Sequence, residues 1–217
     1  MSKIRYFFEQ SWLLIVASFI FGLLIAVTNA SLDTRIKQNL KNKLNKLMKE
    51  LISDANEFKI VADQAEIMGD KGKVVRTDIY QAFDANESSV GFAFEAVGAG
   101  FADKIKIVIA VDGKFERFFG FKVLSSSETP GFGSKIAEDD PASNEDLVDE
   151  FKDAPAGEVK LVRTGKRRED KSEANDDEII AITGATVSSE AVVRIFNTYT
   201  EQVRAKLQEK GLIGNGR

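Results

Sequence analysis

The chain has 217 residues, 43% hydrophobic and 29% charged, with a formal net charge of -4 and neither cysteine nor histidine. That length accommodates one well-buried domain plus an appendage. The missing Cys and His exclude disulfides, thiolate nucleophiles, iron–sulfur and c-type haem attachment, the usual zinc ligands and His-based hydrolytic triads. The acidic balance argues against a nucleic-acid partner, because affinity for a phosphate backbone comes from clustered Lys and Arg.

Residues 1–11 mix Lys3, Arg5 and Glu9 with aromatics, and Trp12 to Val27 is then apolar except for Ser18 and Gly22. With its flanks this run approaches the roughly 17 to 20 residues that span a bilayer core as a helix. A transmembrane anchor is expected over 12–30. The rival reading is a signal peptide cleaved near Thr28-Asn29-Ala30, against which the run exceeds the usual signal core of roughly 7 to 15 residues. Lys3 and Arg5 precede the span while Arg35, Lys37, Lys41 and Lys43 follow it, so the distribution of positive charge leaves its orientation open. Ile36, Leu40, Leu44, Leu47, Leu51 and Ile52 recur mostly three and four apart, which predicts an amphipathic helix and connector over 31–70. Its apolar face packs on the folded domain, on lipid or on a partner.

From Val74 the period changes. Val74 to Phe83, Val90 to Ala96, Lys104 to Val111 and Phe115 to Leu124 cluster or alternate strand-forming residues, with a hairpin turn expected at Asp112-Gly113. Phe92, Phe94, Ile105, Ile107, Ile109, Phe119 and Phe121 are available to one core face. The expectation is an α+β domain over 71–210, a twisted antiparallel sheet packed with helices. Ser143, Glu145 and Asp146 predict a short helix over roughly 144–152, and Lys166 to Asp177 an exposed charged loop. Val192, Val193, Ile195, Phe196, Val203 and Leu207 suit a terminal helix from Ser188 to about Gln208, ended by Gly211 and followed by a tail at 211–217.

Three places could carry chemistry. Thr183-Gly184-Ala185-Thr186-Val187-Ser188-Ser189 immediately precedes or opens the last helix. A hydroxyl-rich turn there either caps the helix or gathers first-turn N–H groups, the helix dipole and the hydroxyls of Thr186, Ser188 and Ser189 around a phosphate. Glu128-Thr129-Pro130-Gly131-Phe132-Gly133 is a shaped loop, either a tight connection or a place where backbone donors approach a planar or anionic ligand, with Phe132 stacking on a ring or filling the core. Glu138, Asp139 and Asp140 read as a solvated acidic patch or as oxygen ligands for a hard metal.

Taken together, the N-terminal span, Gly91-Phe92-Ala93-Phe94-Glu95, the Glu-Thr-Pro-Gly-Phe-Gly loop at 128–133 and Ile182-Thr183-Gly184-Ala185-Thr186-Val187-Ser188-Ser189 resemble the FMN-binding subunits of membrane-bound, ion-translocating electron-transfer complexes, specifically the G subunit of the Rnf complex. The resemblance implies covalent FMN, held through a phosphoester to Thr186 and attached by a separate flavin transferase. It makes Thr183, Gly184, Ala185, Ser188, Ser189, Glu128, Thr129, Gly131 and Gly133 candidate cofactor-binding residues, with no metal site. The implied role is an electron relay in a ferredoxin:NAD oxidoreductase. Its partners would be the other membrane subunits and membrane lipid. The implied topology is single-pass in the inner membrane, with residues 1–11 cytoplasmic and the FMN-binding domain extracytoplasmic. The C subunit of the sodium-translocating NADH:quinone reductase shares the anchor and flavin motif, and an unflavinylated membrane-tethered regulatory or structural module is the alternative from another class. The motif usually has Asp three residues before its first Thr, and Ile180 stands there, with Asp177 and Glu178 just upstream.

Overall fold

The computed structural model describes residues 3–69, 72–137, 147–163 and 177–214. Glu138, Asp139, Asp140, Ser143, the start of the helix expected at 144 and nearly all of the loop expected at 166–177 lie outside the described residues. The chain divides into two compact units, Met1–Lys43 and Leu44–Arg217.

Helix α1 covers Lys3–Leu51, 49 residues that join the expected anchor and the expected amphipathic segment into one element. No proline occurs before Pro130 to interrupt it. The helix continues through the polar Thr28-Asn29 stretch, and Ser31 Oγ folds back onto the Val27 carbonyl at 2.8 Å, satisfying its own hydroxyl inside the helix. By length and composition the helix can cross a membrane. In the first unit Leu14 and Phe19 are both 71% exposed; apolar surface costs about 25 cal/mol per Å² in water, and a bilayer removes that cost.

The second unit is built on a five-stranded antiparallel sheet in the order β1-β2-β3-β4-β5, with strands Glu57–Met68, Val74–Phe83, Ser89–Ala99, Lys104–Asp112 and Phe118–Ser125. Alternation along the strands feeds two cores. Ile79, Phe92, Phe94, Ile105, Ile107 and Ile109 face helix α3, Thr186–Glu209, and pack with Val192, Ile195, Phe196, Tyr199, Val203 and Leu207. On the other face Leu44, Met48 and Ile52 pack with Tyr80, Ala82, Ala93, Val108, Ala110 and Leu124. Because both faces are covered, β4 reads as an almost continuous apolar run.

Side-chain amides fix where α3 lies. The Gln202 carboxamide accepts from the Met68 N–H at 2.7 Å and donates to the Met68 carbonyl at 2.9 Å, pinning the helix to the end of β1. Asn197 does the same with Val159, and the Tyr199 hydroxyl donates to the Val97 carbonyl. The C-terminus of α3 closes as expected at Gly211, whose φ is 68°: its N–H bonds the Gln208 carbonyl while the Leu212 N–H bonds the Leu207 carbonyl.

Four features differ from the sequence expectations. Glu57–Met68 is the edge strand β1 and extends the sheet upstream of residue 71, where a connector was expected. Register irregularities between Ile60 and Ala65 break the period-two pattern that would have signalled a strand. Phe119 leaves the face shared by Phe118 and Phe121 and packs in the core beside α1, because a bulge sets Phe118 and Gly120 opposite consecutive residues of β4. The turn after β4 is longer than Asp112-Gly113, since Asp112 Oδ1 accepts from the Glu116 and Arg117 N–H groups and delays β5 to Phe118. Finally, Lys160–Val162 and Glu178–Ile180 form a short parallel pair, β6 and β7. Helix α2, Leu147–Glu150, falls inside the helix expected over 144–152.

Glu95 on β3 has its pKa raised, chiefly by burial and secondarily by Asp78, against the opposing pull of Lys106. A raised carboxyl pKa means that the folded state disfavours the ionised form, so folding loses stability as pH rises through the carboxylate range. Glu95→Gln is therefore expected to raise the melting temperature at pH 7, with the gain shrinking below pH ~4, where Glu is also neutral. Thermal denaturation at the two pH values checks this.

Candidate functional site

Three segments converge at one end of the sheet: the turn between β3 and β4, the loop after β5, and the start of α3. Each is shaped locally by glycine. In Thr129-Pro130-Gly131-Phe132 the Phe132 N–H bonds the Thr129 carbonyl, and Gly131 has φ 75°. In Ile182-Thr183-Gly184-Ala185 the Ala185 N–H bonds the Ile182 carbonyl, and Gly184 has φ 80°. Both match a type II turn, which needs a left-handed residue in third position.

The second turn decides how α3 begins. The N-cap is Ala185, with no side-chain cap hydrogen bond, and Thr186 is the first helical residue. Ser189 Oγ closes the turn by donating to the Ala185 carbonyl at 3.0 Å and accepting from the Ile182 N–H at 3.2 Å. The Ser188 and Ser189 hydroxyls are thus spent elsewhere and the alanine N-cap offers no side-chain acceptor, so the first turn of α3 can present N–H groups to an anion beside the exposed Thr186.

Glu128 ties the three segments together. The residue is 6% exposed, and its carboxylate accepts from the Phe101 and Ala102 N–H groups at 2.9 and 3.1 Å and from Ser188 Oγ at 2.6 Å. Two glycines make room for it. A Cβ at Gly133 would lie 2.5 Å from Glu128 Oε2 and 2.6 Å from Ser188 Oγ, and one at Gly100 would collide with Glu128 Oε1.

A cavity of about 390 Å³ opens between these segments, within the size range of small-molecule sites. Of the residues expected at a site, Glu128, Thr129, Gly133, Gly184, Ala185, Thr186 and Ser188 line it. Thr183 is exposed and Gly131 holds its turn, donating its N–H to Ser134 Oγ at 2.9 Å; neither lines the cavity. Ser189 is fully buried beneath the turn and also lies outside the lining. Sequence reasoning missed Phe101, which lines the cavity while 69% exposed. Its signal was a large aromatic directly after Gly100, in a polar turn. Phe132 is 60% and Val187 54% exposed, so the cavity carries exposed apolar side chains beside Thr186, Val187 from the first turn of α3 itself.

A second cavity, about 440 Å³, is lined by Glu158, Asn197, Thr200 and Arg204 among others. Arg204 is spent there on the carbonyls of Phe115 and Ala156 and over the Phe115 ring. Among the described residues no His, Cys, Asp and Glu grouping could hold a metal ion. Ile180 ends β7 and is half-buried, while Asp177 is paired with Lys160 at 3.1 Å, an interaction that raises the Lys160 pKa.

Gly133→Ala tests the packing around Glu128. Overfilling such a site costs about 1–3 kcal/mol, and chemical denaturation should register that loss; an unchanged midpoint would contradict the close approach.

The FMN-binding domain family matches residues 100–201, which contain all three converging segments. The chain is 26% identical over 193 residues to the G subunit of the ion-translocating oxidoreductase complex of Methanosarcina acetivorans, covering 89% of this chain and 92% of that protein. It is 29% identical over 192 residues to the G subunit of the proton-translocating ferredoxin:NAD(+) oxidoreductase complex of Clostridium ljungdahlii, covering 88% of each. The crystal structure of the C subunit of the Na(+)-translocating NADH-quinone reductase from Parabacteroides distasonis shares the fold, with TM-score 0.52 at 19% identity over 84% of this chain and 98% of that one. Residues 100–201 therefore match the FMN-binding domain family, and the chain is similar along most of its length to the G subunits of ion-translocating oxidoreductases.

Proposed function

We propose that this protein is the membrane-anchored, FMN-carrying electron-transfer subunit of an ion-translocating ferredoxin:NAD oxidoreductase complex, with the flavin held covalently on Thr186. The observation that carries the reading is the start of α3. An alanine N-cap leaves first-turn N–H groups available, and Thr186 stands exposed beside them on the wall of the cavity. The residues fit FMN: helix N–H groups and dipole for the phosphate, and the Phe101 and Phe132 faces for an aromatic ring. Bound flavin supplies the one- and two-electron chemistry that a chain without Cys or His lacks.

The chain's own contribution is position. Thr186 Oγ forms the phosphoester by attacking the flavin-side phosphorus of an activated flavin dinucleotide. The anhydride P–O bond breaks, the nucleotide leaves and the hydroxyl proton passes to solvent. A separate flavin transferase catalyses this step. Val187 and the two phenylalanines supply apolar surface to the cavity wall, while Gly184 and Ala185 fix the turn from which Thr186 projects. Similarity over the length of the chain to the G subunits favours this complex over the sodium-translocating quinone reductase, whose C subunit supports the fold alone.

Residues 12–30 form the anchor in this reading, and the domain from Leu44 onward lies on the extracytoplasmic side, where flavin attachment takes place in the proteins it resembles. The other membrane subunits and lipid surround the anchor. Co-purified subunits distinguish the two complexes. A reporter fused to the C-terminus is expected to be active only outside the cytoplasm; cytoplasmic activity would refute this topology.

The central test is co-expression with a flavin transferase followed by mass spectrometry of the peptide containing Thr186. The FMN mass is expected on that peptide and absent in Thr186→Ala. An unmodified wild-type peptide from a host with active transferase would instead favour the unflavinylated tethered module.

A further inference from the structure

The geometry points to Glu128 as the positioning residue of the site: its charged carboxylate locks the first turn of α3 to both neighbouring loops and places a fixed negative charge beside the ligand. The flavin part of this inference rests on the function proposed above. Its structural part stands on flavin-free protein.

All of the carboxylate's partners donate to it: the Phe101 and Ala102 N–H groups to Oε1 and the Ser188 hydroxyl to Oε2. That is the pattern around an ionised, acceptor-only carboxylate, and charge-assisted bonds of this kind are roughly twice as strong as neutral ones. Glu128 as a residue is 6% exposed. Burying a charge this deeply is costly unless its hydrogen bonds are satisfied. The fold meets that condition with backbone donors at one oxygen, a serine at the other, and glycines at 100 and 133 where a Cβ would displace the group.

The position of each partner gives this clamp a functional direction. Ser188 lies two residues beyond Thr186 in the first turn of α3. Phe101 and Phe132 lie on the rim, one flanked by a residue that donates to Glu128 and the other next to Gly133. A single side chain thereby fixes the anchor hydroxyl relative to the apolar rim. Glu128 also lines the cavity. A negative charge there opposes added electron density on a bound redox group, so it lowers that group's reduction potential.

Glu128→Gln and Ser188→Ala separate these effects. Gln keeps the length and can still accept from both N–H groups, but loses the charge. Ser188→Ala keeps the charge and breaks only the link to α3. In flavin-free full-length Glu128→Gln, the Phe101 and Ala102 amides are expected to exchange about tenfold faster, the difference between a charged and a neutral acceptor. Ser188→Ala should leave those two amides nearly unchanged and speed exchange in the first turn of α3. In flavinylated protein, the midpoint potential should rise in Glu128→Gln and stay near the wild-type value in Ser188→Ala; Glu128→Asp, which retains the charge, should bring it back toward wild type.

Unchanged amide exchange in Glu128→Gln would overturn the clamp, and an unchanged potential would overturn the electrostatic role. An unfolded Glu128→Gln beside a native Ser188→Ala would assign Glu128 to the fold rather than to the site, which also overturns the proposal. Wild-type protein lacking flavin would count against the proposed function, while the exchange measurement would still decide the clamp.

Discussion

The carboxylate of Glu128 is buried between two loops and a helix, and such a charge is stable only where donors converge on it. Satisfying it draws the Phe101–Ala102 backbone and Ser188 to the same point. Gly100 and Gly133 follow from the same demand, since any side chain there would occupy the carboxylate's space. The cavity is the opening left where these three segments meet, lined by the start of α3, Val187 included, and by Phe101 and Phe132 from the two loops.

The rest of the domain presents that helix end. The sheet is covered on both faces, and α3 is held by its apolar stripe and by amide bonds from Asn197 and Gln202 to main chain at two separated places. A helix pinned in this way keeps its N-terminus fixed, and catalytic and binding groups are most precise when carried on rigid elements. The Ile182–Ala185 turn, closed by Ser189, then delivers Thr186 into the first turn. A charged redox group attached at this point would be positioned by backbone geometry without a histidine, cysteine or metal.

Much of this was legible in the sequence because it rests on short-range rules. The alternation in β3 and β4, the apolar spacing of α3 and the Gly211 stop all specify local structure directly. The two site loops were visible as motifs, but the jobs of their residues were not. Gly131 and Gly133 look equivalent in sequence, yet one supplies a left-handed dihedral and the other supplies space for a carboxylate distant in the fold. Ser188 and Ser189 likewise look equivalent in sequence, yet one donates to Glu128 and the other closes the turn. Phe101 reaches the site only through the long-range bonds between its turn and Glu128. Strand β1 and the displacement of Phe119 were hidden because bulges interrupt the period on which strand recognition depends.

Phosphorus NMR of the flavin-loaded full-length protein tests the central claim most directly. A phosphoester to Thr186 makes the flavin phosphate a diester, with no second ionisation. The expected result is a protein-bound phosphorus signal that does not shift between about pH 5 and 8 and that stays with the unfolded chain. A signal that titrates near pH 6, the second pKa typical of a phosphate monoester, or flavin released on denaturation, would contradict it.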